Sequence, residues 1–169
     1  YNHDIRKRFY LRLEKGIHSF QKITETTKGI IYDMSRGMGA HANLSLQDEK
    51  TVIYEYGGYN LNEDNFKNEA QICDGIITIS RNCFLEPEIH QKIKKMPSGK
   101  KKIITKRISI DVDYSKMIKD GLIVIENCSN CWETTDDEHV DIMALCILFK
   151  LFSKYQEEGK VPESISYNV

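Results

Sequence analysis

The sequence predicts an α+β fold, with N-terminal and C-terminal helices packed on a mostly antiparallel sheet, a meander of about five or six strands. Three observations carry this. Segments rich in β-branched and aromatic residues follow one another across separators of only a few residues, too short for the crossovers that parallel strands need. Helical periodicity opens the chain and returns near its end. No internal repeat or low-complexity tract breaks the pattern. At 169 residues the chain fits a single domain spanning 1–169, large enough to bury a core without disulfide or metal support.

Ile5, Phe9, Leu13, Ile17 and Phe20 recur every three or four residues, which places them on one stripe of a helix over about 3–15, fraying toward 22 beyond Gly16. The period then changes. GIIYDMS (29–35), AHANLSL (40–46) and TVIYEYG (51–57) read as strands of a meander, joined by turns at RGMG and QDEK. Residues 60–75 are polar and read as loop, and DGIITISRNCF (74–84) as a fourth strand. Pro87 stands at the first turn expected of a helix in EPEIHQKIKK, which Pro97-Ser98-Gly99 ends. KKIITKRISI (101–110) is expected at a sheet edge, where lysines discourage mispairing. Tyr114–Lys119 reads as a short helix ended by Gly121, and LIVIENC (122–128) as an apolar strand. Thr135 and Glu138 form a capping box ahead of a helix over Val140–Tyr155, which is apolar on nearly every face and so must be buried.

Composition narrows the function classes. A net charge of −1 gives no global field toward nucleic acid or anionic membrane, so any electrostatic role is local. The longest apolar run, Ile142 to Phe149, is eight residues, far short of a membrane span, and no membrane partner is expected. Five cysteines, an odd number, fit a reducing compartment such as the cytoplasm better than a disulfide framework. The opening residues YNHDIRKRF lack the apolar core of a signal peptide, although a start at tyrosine leaves room for a preceding segment.

No catalytic motif completes itself, and the expectation leans away from an enzyme. Gly37-Met38-Gly39-Ala40-His41-Ala42 fits G-x-G-x-x-A, with Glu55 18 residues beyond Gly37. A dinucleotide site needs a helix after those glycines. Here apolar residues alternate at period two, so a hairpin turn is the better reading and no cofactor is expected. Asp33, Ser35, Arg36 and His41 around that turn form an alternative site for an acid–base pair or an anion. Cys128 and Cys131 have C-x-x-C spacing, and His139 would be a third metal ligand, but no fourth is in sight. No metal is expected.

Charge segregates into two stretches. Residues 126–141, ENCSNCWETTDDEHVD, carry six acids and no lysine or arginine. Acids in a first helical turn complement the helix dipole, which accounts for Asp136, Asp137 and Glu138. Glu126, Glu133, Asp136, Asp137 and Asp141 around Trp132 also suit an acidic rim about an aromatic anchor, a grip for a protein partner with a basic surface. Residues 92–107 carry eight basic residues and no acid. With no aromatic side chain there to stack on bases, nucleic-acid binding ranks third. A small α+β chain with segregated charge and no catalytic motif is similar in general type to bacterial immunity proteins. That resemblance implies a non-enzymatic domain that binds and neutralises a toxin.

Overall fold

The computed structural model describes residues 37–169. The helix expected over 3–15 and the strand expected over 29–35 lie outside the described residues. Among those described, the fold is α+β. Strands β1 (Met38–Gln47), β2 (Thr51–Asn60) and β3 (Gly75–Ser80) are followed by β4 (Glu88–Lys95) and β5 (Lys101–Ile108). Then come α1 (Tyr114–Lys119), β6 (Ile123–Glu126), α2 (Ile142–Glu158) and β7 (Ser164–Asn168). Five strands form one sheet in the order β6-β3-β2-β1-β7, every neighbour antiparallel. β4 and β5 form a separate two-stranded ribbon.

The meander is local in origin. Between β1 and β2, the Asp48 carboxylate accepts the amides of Lys50 and Thr51, each at 2.7 Å, so the QDEK turn closes itself. Alternation then sorts the side chains. Ile165, Ala42 and Tyr56 lie in register across β7, β1 and β2, and Tyr54 opposes Ile77 while Val52, Ile79 and Ile123 make a third row. All of these are buried. α2 packs on this face against β7, β1 and β2, burying Ile147, Leu148, Leu151 and Phe152. Phe84 joins them, with its ring centroid 5.0 Å from those of Phe152 and Tyr155. A register shift between Leu44 and Leu46 turns Leu46 outward to 51% exposure, although alternation placed it in line with Ala40 and Ala42.

Three expectations need correction. Gly39 lies inside β1, opposite Tyr59 and Asn168, rather than in a hairpin turn; only Gly37, at φ +71°, bends the chain ahead of the strand. EPEIHQKIKK is not a helix. Ile89 and Ile93 are four apart, which fits helix and strand alike, and pairing with 101–108 decides for strand. That pairing also takes β5 off the main sheet, and in a two-stranded ribbon it keeps the free edge the sequence led us to expect. The capping box does not open α2. Thr135 instead closes a tight loop: its amide donates to the Val140 carbonyl at 2.8 Å, and its hydroxyl accepts from the Val140 amide at 3.1 Å. The helix starts after Asp141, whose carboxylate accepts from the Met143 amide at 2.8 Å. β7, SISYN, has no local signal of its own, since five residues are too few to show a period.

Candidate functional site

Asp141 is the first surprise of the acidic stretch. It is 2% exposed, so it cannot belong to a charged rim. Its Oδ2 accepts from the Tyr56 hydroxyl at 3.0 Å and from the Cys128 thiol at 3.5 Å, while its own amide donates to Asn127 Oδ1 at 2.9 Å. The Tyr56 hydroxyl in turn accepts from the Cys128 amide at 3.1 Å. Burial raises the Asp141 carboxyl above its ordinary range, with the Met143 amide and the Tyr56 hydroxyl pulling the other way. This network joins β2, the 127–131 loop and the start of α2.

The remaining acidic residues do not converge with it. Asp136 and Asp137 are exposed in the loop that Thr135 closes, outside any helix, and so they are not first-turn residues of α2. Glu126 is exposed at the end of β6, opposite Ile76, and Glu133 is half-buried. Trp132 is also half-buried. Its ring lies over Gly58, where a Cβ would approach to 3.0 Å, and its centroid is 6.4 Å from that of Phe66. Asn130 holds the loop there, its amide donating to the carbonyls of Gly58 at 3.0 Å and Phe66 at 2.8 Å.

The metal candidates also separate. The Cys128 thiol is buried and turned to Asp141, and Cys131 is half-buried with its thiol 3.6 Å from the Glu133 carbonyl. Burial pushes these thiols up to about 11 and about 12, with Asp141 adding to each. His139 is exposed, at φ +51° in the loop. Among the described residues, no group of three or more His, Cys, Asp or Glu side chains is arranged to hold an ion.

Of the alternative set, Asp33, Ser35 and Arg36 lie outside the described residues. His41 is described, and its neighbour is one that sequence reasoning missed. His41 Nε2 and the Cys73 Sγ are 2.9 Å apart. His41 sits in β1 opposite Gly57 and Ser166, on the sheet face away from α2, with Glu55 one diagonal step along β2. Cys73 arrives from the 61–74 loop, which crosses this face. The crossing depends on Gly57, since any Cβ there would run into the Ile72 carbonyl. Asn68 pins the loop: its amide donates to the Gly58 and Ile72 carbonyls, each at 3.0 Å, and its Oδ1 accepts from the Ile72 amide at 2.8 Å. With 32 positions between them, the histidine and the cysteine have no local sequence signal.

The ribbon is the other feature the sequence concealed. Every residue of β4 and all but Ile108 of β5 are exposed. In its register Ile93 opposes Ile103, and Ile89 lies on the same face through alternation. Their exposures are 66%, 62% and 55%. His90, Lys92, Lys94, Lys102 and Lys106 occupy the opposite face, with Ile104 among them. No protein-family model matches the chain, and no curated protein or solved structure is significantly similar to it.

Proposed function

We propose that this chain is a non-enzymatic protein-binding domain that docks an acidic partner on the β4–β5 ribbon. The observation that carries the reading is the exposed Ile93–Ile103 pair with Ile89 beside it. A two-stranded ribbon on its own is marginally stable in water, and isoleucines opposed across it leave apolar area that a partner would cover. Each isoleucine fully removed from water contributes about 1.5–3 kcal/mol. Lys95, Lys101 and Arg107 share that face with the pair, so the complementary surface is apolar at its centre and acidic at its rim. This keeps the protein-binding class expected from the sequence. It moves the surface from the acidic loop to the ribbon, and the sign of the partner's charge changes with it.

A protein is favoured over nucleic acid because three isoleucines on one face offer nothing to a phosphate backbone, and the ribbon has no aromatic side chain to stack on bases. The test is affinity capture with the wild-type chain beside an Ile93→Ser/Ile103→Ser variant, with and without nuclease. Recovery of an acidic protein that withstands nuclease and is lost with the double variant, at unchanged melting temperature, supports the reading. Nuclease-sensitive recovery, or capture indifferent to the double variant, overturns it.

A further inference from the structure

The His41–Cys73 pair is assembled with more care than a surface thiol requires. Asn68 makes three hydrogen bonds to fix the 68–72 turn, and Gly57 removes the side chain that would lift it off the sheet. The thiol proton has two acceptors in reach, His41 Nε2 at 2.9 Å and the Gln71 carbonyl at 3.6 Å. Only the imidazole is basic enough to keep the proton. Both side chains are half-buried, which limits the size of an approaching reagent but does not exclude one.

We propose that Cys73 and His41 form a thiol–imidazole nucleophile, a modification site for small neutral electrophiles, of which hydroperoxides are the class that fits. The groups facing the thiol select for neutrality. Burial first, and then the carboxylates of Glu55 from β2 and Asp74 beside it, hold Cys73 in the thiol form at rest, and those carboxylates also oppose an anionic reagent. The pair therefore works by general-base action during attack rather than as a standing thiolate. The Cys73 sulfur attacks the terminal oxygen of the hydroperoxide, and a sulfur–oxygen bond forms as the oxygen–oxygen bond breaks. His41 Nε2 takes the thiol proton and passes it to the departing alkoxide or hydroxide. The products are a sulfenic acid at Cys73 and an alcohol or water, so the thiol is oxidised and the peroxide reduced.

The test uses the full chain, hydrogen peroxide and a sulfenic-acid trap, with labelled cysteines mapped by peptide mass spectrometry across pH 5–9. Cys73 is expected to be trapped at least ~10-fold faster than the half-buried Cys131. Its rate should reach its plateau below the free-thiol range, about 8.5. His41→Gln should slow trapping at least ~10-fold at pH 7 and move the rise into the thiol range. Equal rates at Cys73 and Cys131, or the same pH profile in both proteins, overturns the proposal. If His41→Gln does not fold, the wild-type profile decides by itself: an inflection at or above about 8.5 removes the base.

Discussion

The Tyr56 hydroxyl donates to Asp141 Oδ2 across 3.0 Å and 85 positions of chain, and this one bond ties the central strand to the start of the buried helix. Asp141 both caps α2 through the Met143 amide and accepts from the phenol of the buried Tyr56. Asp141→Ala removes both functions and should cost about 2–4 kcal/mol, the sum of a lost cap and a stranded buried hydroxyl. Asp141→Asn keeps an oxygen for the cap and should cost less than half of that. Urea unfolding of the three proteins at pH 7 checks the order.

The same carboxyl predicts a pH dependence. Burial raises Asp141 in the folded state, so the folded chain holds that proton more tightly than the unfolded chain. The stability this contributes is full below the ordinary carboxyl value of about 4 and is lost as pH rises through the raised folded value. Wild type should therefore lose stability relative to Asp141→Asn as pH climbs from about 4. A stability difference that stays constant over pH 4–8 would show that the carboxyl titrates alike in both states.

Asp136 and Asp137 should behave in the opposite way. Both are exposed in the Thr135 loop and cap nothing. Neutralising the pair to Asn should change stability by no more than about 0.5 kcal/mol, as at ordinary surface positions. A loss near 1 kcal/mol or more, read from melting curves, would mean that they support the helix after all.

Gly57→Ala tests the crossing of the 61–74 loop over the sheet. The added Cβ meets the Ile72 carbonyl, a backbone atom that cannot swing aside. The substitution should destabilise by about 1–3 kcal/mol, the range for overpacking a tight site. It should also free Cys73 from His41, so that alkylation at Cys73 takes on the pH profile of an ordinary thiol. Unchanged melting and unchanged thiol kinetics together would show that the loop accommodates a methyl group.

Zinc is expected to be absent from the purified chain. The Cys128 thiol points inward to Asp141, burial and that carboxylate hold both C-x-x-C thiols protonated, and His139 is exposed in the loop. Thiolates are what zinc binds. Metal analysis giving one zinc per chain, lost on Cys128→Ser, would falsify this.

By itself the sequence determined the parts that rest on short-range physics. The meander of 38–60 followed from period-two alternation and an aspartate turn, and α2 from a run of apolar residues too long to stay in water. Tertiary structure decided whatever needed a partner far along the chain. EIHQKIKK has isoleucines four apart and no local reason to prefer strand over helix; only the Ile93–Ile103 register made it a ribbon. Thr135-x-x-Glu138 is a sound helix start locally, yet burying Asp141 against Tyr56 moved the start seven residues on from Thr135, to Ile142. The His41–Cys73 pair is the clearest case. Nothing in the local sequence links the two residues, and they meet because Gly57 lets one loop lie flat on a sheet whose strands had already set His41 on the outer face.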